Sequence, residues 1–349
     1  MARGWIRRGC LFVVVALMGS LVPLTALSVL APRVASATSP VVPSGTRQLI
    51  AGGDVGNDSG PVAGVSAHFS TDIADMAADS SGNLYVADRG NAEIRKVTSP
   101  LDGTAEVSTV GVPSGWFTSS CSSDCSTLGP NALQIGTDGE LYVVTGSGAH
   151  NPGTYSLYSG PGKLLKIDPS SGSVTTLATG FYDPMGVAIS GSSVFVTDIA
   201  DGYEGPHARI STVPIAGGGT PTNYFDESHG YWQNEPGGTL PPLLEAAQGK
   251  LFMRVGSGGS CSDDIAVIDA TNPAAAEVDE CTNANIAAMA MDPTGKWIAV
   301  SDNHTFAGVP VAAAMQGTTW MTAGAPNGFR ALYSEGMDAM AIDKQENLF

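Results

Sequence analysis

Three histidines, His150, His207 and His304, stand in Gly-, Ser- and Asp-rich stretches that each follow an apolar run. Three imidazoles with a carboxylate have the chemistry to hold zinc or to act as general acid and base. The segment Asp198-Ile-Ala-Asp201-Gly-Tyr-Glu204 offers oxygen ligands for calcium, although it lacks a full calcium-loop pattern. Asp88, Asp198 and Asp302 each close an apolar run and form a second candidate cation set. The competing role for such an aspartate is to hydrogen-bond backbone locally. A different chemistry is suggested by Trp116, Phe117, Tyr182, Tyr231, Trp232 and Phe329 with Glu335. Rings beside carboxylates suit a sugar-like or cationic ligand. The alternative is that these rings pin down long loops.

Other chemistries are missing. The chain has no Gly-x-Ser-x-Gly elbow, no phosphate-cradling Gly-Lys-Ser/Thr loop and no dinucleotide fingerprint. With 16 basic and 33 acidic residues in 349, the net charge is −17, which repels phosphate backbones and anionic lipid. Nucleic-acid partners are therefore excluded, and membrane insertion of the mature domain is not expected.

Residues 1–37 read as a secretory signal. Arg3, Arg7 and Arg8 precede an apolar run from Leu11 to Ala31, and Ala35-Ser36-Ala37 offers a cleavage site. An uncleaved anchor is the alternative. Either way the remainder lies outside the cell, secreted or held at the outer membrane face. Cleavage removes four arginines and no acids, leaving a net charge of −21. Four cysteines remain in an oxidising setting, and the expected pairs are Cys121–Cys125 and Cys261–Cys281.

The elements that must position these groups come from a repeat. Asn83-Leu-Tyr-Val-Ala-Asp88, Glu140-Leu-Tyr-Val-Val144 and Ser193-Val-Phe-Val-Thr-Asp198 share one pattern. It continues in Lys250-Leu-Phe-Met253, Lys296-Trp-Ile-Ala-Val-Ser-Asp302 and Asn347-Leu-Phe349. Aligning Leu84, Leu141, Val194, Leu251, Trp297 and Leu348 gives intervals of 57, 53, 57, 46 and 51 residues. Units of that length built from short strands suit four-stranded propeller blades. Small residues fill the preceding strand, as in Met76-Ala-Ala78, Gly186-Val-Ala188 and Ala287-Ala-Met-Ala290, because blades are narrowest at the axis. Long loops at 111–130, 145–162, 199–207, 222–241 and 322–335 are expected on one face, where function is usually carried.

Asp79-Ser-Ser-Gly-Asn-Leu-Tyr-Val-Ala-Asp88, with Asn91 and Ile94-Arg-Lys-Val97, resembles an NHL repeat. Ile50-Ala-Gly-Gly-Asp-Val-Gly56 and Ala67-His-Phe69 resemble the usual approach to one. The resemblance is strongest over residues 48–111, moderate over 131–200 and weak beyond about 240. It implies a secreted, bacterial-type propeller similar to others that serve as binding platforms, sensor domains and, in some cases, lyases. The Trp-Phe-Thr-Glu-like strand ends of the lyases are replaced here by Val-Ala-Asp, Val-Thr-Asp and Val-Ser-Asp.

The expected architecture is all-β, a six-bladed propeller of NHL-like repeats over 46–349 behind a linker at 38–45. Its sixth blade is expected to be incomplete at Phe349, which suggests a fragment, and to be closed by the N-terminal strand Arg47–Gly52. The expected function is a non-catalytic binding module for a protein, peptide or glycan, monomeric and needing no cofactor, with calcium or another divalent metal as an option. A metal-dependent propeller lyase or hydrolase, with its site near the axis, is the alternative.

Overall fold

The computed structural model describes residues 49–58, 60–119, 128–146, 162–181, 184–202, 205–226, 243–256, 263–278, 286–301, 305–310, 329–332, 339–345 and 347–349. Near the start, β1 (Asp54–Val55) and β3 (His68–Phe69) pair in parallel, and β2 (Val62–Ala63) lies between them in sequence. The first large sheet contains β4 (Ile73–Ala78), β5 (Leu84–Asp88), β6 (Glu93–Thr98) and β7 (Glu106–Thr109), with β2 added outside β7 as a fifth strand. The second sheet contains β8 (Ala132–Ile135), β9 (Leu141–Thr145), β10 (Gly162–Ile167) and β11 (Val174–Phe181).

Three more sheets repeat this meander. The third has β12 (Gly186–Ser190), β13 (Ser193–Gly202), β14 (Gly205–Pro214) and β15 (Thr222–Phe225). The fourth has β16 (Leu244–Ala247), β17 (Lys250–Gly256), β18 (Asp263–Asp269) and β19 (Asn272–Val278). The fifth has β20 (Ala288–Met291), β21 (Trp297–Ser301), β22 (Thr305–Pro310) and β23 (Phe329–Leu332). A last hairpin joins Ala341 to Phe349 by reciprocal backbone hydrogen bonds of 2.9 and 2.7 Å.

The strands of each inner hairpin are apolar on both faces because each sheet is buried between two neighbours. Along β5, Tyr85 and Ala87 pack towards Leu133, Leu141 and Val143 of the second sheet. Leu84 and Val86 point the other way, into a cluster with Ala341 and Phe349. The same alternation places Tyr142 and Val144 against Val194 and Val196, and Phe195 against Leu251 and Met253. Phe252 packs with Ile298 and Val300, and Ala288, Ala290 and Ala299 with Met340, Ile342 and Leu348. Each apolar cluster is thus shared by successive units, and the last hairpin links the fifth sheet back to the first. This radial closure is the arrangement of a β-propeller. The period-two alternation seen in sequence serves two interfaces at once.

The turn between first and second strands has a local cause. Asp79 Oδ1 accepts the backbone N–H groups of Ser81 and Asn83 at 2.8 and 2.9 Å, and Oδ2 accepts from Asn83 Nδ2 at 2.7 Å. Asp343 repeats all three bonds with Gln345 and Asn347, and Asp292 repeats the backbone pair with Thr294 and Lys296. Gly82 and Gly295 supply the left-handed step at φ +85° and +66°.

The N-terminal closure differs from expectation. Residues 49–52 form no strand; Ile50 and Ala51 are buried beside Phe349, and Gly52 donates its N–H to the Gly64 carbonyl. The outermost added strand is β2, on the first sheet. The segment is anchored by the buried guanidinium of Arg95, whose Nη1 donates to Glu93 Oε2 and Asn57 Oδ1, both at 2.9 Å. The predicted loops at 199–207, 222–241 and 322–335 also need correction: β13 and β14 extend through 199–202 and 205–207, 222–225 form β15, and 329–332 form β23.

Asp79→Ala removes three hydrogen bonds from one turn. It is expected to lower unfolding stability by about 2 kcal/mol with an unchanged denaturant slope, measured by urea titration.

Candidate functional site

The first strands of the sheets contact one another in sequence around a common cavity of about 530 Å³. Its lining includes Ala77, Gln134, Val187, Glu245, Met291 and Ala341, so every unit contributes its innermost strand. Register fixes this geometry. Ala77, Gln134, Ala188, Glu245 and Met291 pair respectively with Tyr85, Tyr142, Phe195, Phe252 and Ile298, which puts them on one level.

Three of the polar side chains in this lining reach the first strand of the next sheet. Asp75 Oδ2 accepts the Leu133 N–H at 2.9 Å, while its Oδ1 accepts the N–H of Met76 at 2.8 Å. Gln134 Oε1 accepts the Ile189 N–H at 2.9 Å. Glu245 accepts the N–H of Met291. A first strand is an edge strand, so its lumen-side amides need acceptors from elsewhere.

The two carboxylates are electrostatically strained. Burial inside the protein pushes Asp75 up to about 7, against the opposing pull of the Leu133 and Met76 amides. Burial also raises Glu245 well above the usual carboxylate range, and the negative charge of Asp75 raises it further. These residues belong to the first and fourth sheets, so the interaction runs across the cavity. Their side chains reach the lumen yet are surrounded by protein, where a charged form is poorly solvated.

Other candidates have different surroundings. The buried Asp198 carboxylate is taken up by Arg209, with Nε to Oδ1 and Nη2 to Oδ2 both at 2.8 Å. Asp88 accepts the Ser70 N–H at 3.2 Å and Asn91 Nδ2 at 2.9 Å, which is the local bonding role. Asp201 and His207 lie on adjoining strands, opposite Pro206 and Ala200 rather than each other. Phe329 occupies β23 opposite Gly308. Trp116 and Phe117 are partly buried against the cluster between the first and second sheets, so they pack the interface of two units. His150, Tyr182, Glu204, Tyr231, Trp232, Asp302, His304, Glu335 and Cys121, Cys125, Cys261 and Cys281 lie outside the described residues. Among the described residues, no group of three or more His, Cys, Asp or Glu side chains is placed to hold a metal ion. Nor is any described helix long and apolar enough to cross a membrane.

The axial carboxylates stand neither at strand ends nor in loops, so none of the sequence patterns above points to them. Their signal is an acid inside an otherwise apolar first strand, as in Ile73-Ala-Asp-Met-Ala77 and Leu243-Leu-Glu-Ala-Ala247.

No family profile and no curated protein sequence matches the chain. Among solved structures, it is similar to Kuenenia stuttgartiensis hydrazine synthase at 16% identity and a TM-score of 0.49, over 80% of each chain. A gluconolactonase from Xanthomonas campestris gives 15% and 0.45, over 67% of this chain and 71% of that one. An inactive virginiamycin B lyase variant from Staphylococcus aureus gives 11% and 0.43, over 79% and 78%. Likenesses at this level carry no functional argument.

Two measurements follow. Asp75 and Glu245 have raised folded-state pKa values, and burial also raises that of Asp88. Their stabilising contribution is complete below the unfolded values, 3.8 for the aspartates and 4.5 for Glu245, and is lost as pH rises through the folded values. Melting temperature is therefore expected to fall between pH 5 and pH 8, and Glu245→Gln to reduce that fall. Trp116→Ala opens the cluster between the first two sheets, with an expected loss of about 2 kcal/mol in denaturant titration.

Proposed function

We propose that this chain is an exported, six-bladed propeller of NHL-like repeats, and that it works as a binding module. The partner is a protein, peptide or glycan received on the loop-rich face and at the opening of the axial cavity. The last hairpin, with its Asp343–Asn347 turn matching Asp79–Asn83, supports counting it as the core of a sixth blade. Binding rather than catalysis is favoured by one observation above all. The carboxylates described within the ring already serve structural bonds, to backbone amides or to Arg209, a role that suits a binding frame.

On this reading no cofactor is required, the mature domain is monomeric, and its acidity suits a cell-surface or extracellular site. Tyr182, Tyr231, Trp232 and Glu335 supply ring faces and charge at the loops, with Asp198 acting as a strut. The disulfides Cys121–Cys125 and Cys261–Cys281 would restrain two of those loops.

Residues 38–349 are to be applied to glycan and peptide arrays, and a hit measured by calorimetry. Trp232→Ala is expected to weaken binding about tenfold, which is about 1.4 kcal/mol, with melting temperature nearly unchanged. Stoichiometric metal lost on His150→Ala, His207→Ala or His304→Ala, together with turnover of a bound glycan or peptide, would replace this reading with the enzyme.

A further inference from the structure

We propose that the axial cavity is a receptor for a primary ammonium group, held between the carboxylates of Asp75 and Glu245. This deepens the binding-module reading and rests on it for the nature of the macromolecular partner.

The argument starts from what the inter-strand clasp needs. An edge amide facing the lumen needs an acceptor, and Gln134 provides one to Ile189 with no charge at all. Asp75 and Glu245 make the corresponding clasps with ionisable groups. Glu245 even occupies the same register level as Gln134, opposite Phe252 where Gln134 faces Tyr142. The structural task alone does not call for charge, so the carboxylates have a property to spare.

The described residues that line the cavity supply no counter-charge. The cavity lining contains Asp75, Glu245 and Asp292 as its titratable residues, and no Lys, Arg or His. Asp292 is occupied by its own turn, through the amides of Thr294 and Lys296. The rest of the lining is mostly Ala, Gly, Val, Ile, Leu and Met, which cannot solvate an anion. Glu245 feels the charge of Asp75 across this space, and such a carboxylate has two remedies: a proton or a cation. Asp75 accepts one amide on each oxygen and Glu245 accepts one amide, and since each carboxylate oxygen has two lone pairs, both groups keep capacity for a further donor. An ammonium has three N–H donors and can bridge two acids, and a volume of about 530 Å³ admits the alkyl chain behind it. A lysine side chain and a free alkylamine share this chemistry.

The test uses the mature chain, residues 38–349, at pH 8, where the pair is most in need of a cation. Saturable thermal stabilisation is followed with n-butylammonium chloride, with acetyl-lysine-amide carrying a free side-chain amine, and with butanol and sodium chloride as controls. The expected result is a saturable shift with an ammonium probe, absent for butanol, with affinity at least tenfold weaker in Glu245→Gln and in Asp75→Asn. Both variants keep an amide carbonyl for the clasp, and far-ultraviolet circular dichroism verifies their fold. Glu106→Gln, on the exposed end of β7, serves as the control that leaves binding intact. A stronger response to acetyl-lysine-amide identifies a peptide side chain as the natural source; a stronger response to n-butylammonium identifies a free amine. The inference is overturned if neither ammonium gives a saturable shift, if both variants respond like the wild type, or if calcium alone stabilises. Array binding without any ammonium response would overturn this inference and leave the binding-module reading in place.

Discussion

The constraint on which the rest depends is convergence: every sheet must bring its first strand to the same narrow axis. Side chains there meet others from neighbouring units, so the strand is limited to residues such as Ala77, Ala188 and Ala341. The bulk moves outward, to Tyr85, Tyr142, Phe195, Phe252 and Phe349 on the second strands. These alternate with Leu84, Val194 and Leu251, so successive residues feed opposite interfaces. Burying such side chains contributes roughly 1.5–3 kcal/mol each. The ring is therefore held by apolar packing between units, with each cluster belonging to two of them.

Convergence also creates a hydrogen-bonding problem that packing cannot solve. In a meander the first strand has a partner on one side only, and its other edge faces the lumen. Leu133, Ile189 and Met291 each present an amide there, and each receives a side-chain acceptor from the preceding unit or the one beside it. These contacts tie units together at the place where sheets are least able to touch through large side chains. They also explain why polar residues persist in a strand that composition alone would fill with alanine.

Much of this was legible in the chain itself. The Leu84, Leu141, Val194, Leu251, Trp297 and Leu348 series located the second strands, and each falls within a strand or, for Leu348, a β-bridge. Glu93–Val97 and Lys163–Ile167 fall on β6 and β10. The closing segment was harder, because an apolar Ile50-Ala51 packs into the core without joining a ladder, and pattern alone does not separate those outcomes. The lengths of β13 and β14 were also hidden: Gly202 and Gly205 read as loop, yet pair in one long hairpin. Trp116 illustrates a further limit. A ring beside Gly115 looks like a surface platform until the neighbouring sheet is placed beneath it. Asp75 and Glu245 were overlooked because an isolated acid in an apolar strand has no motif; its meaning comes from which amide stands opposite.

The axial residues show how a structural role and a functional one separate. Had all three clasps used glutamine, the lumen would lose two of the three carboxylates in its described lining while the amides stayed satisfied. Ionisable groups at two of three positions instead place repulsion inside the narrowest part of the molecule, in a chain whose net charge of −17 already disfavours further negative charge. That repulsion has no compensation among the described residues lining the cavity, and such a pair, largely enclosed by protein, is relieved only by a proton or a cation from outside. A positive charge entering the axis would relieve that pair as a proton does, and this is the physical ground of the proposed ammonium site.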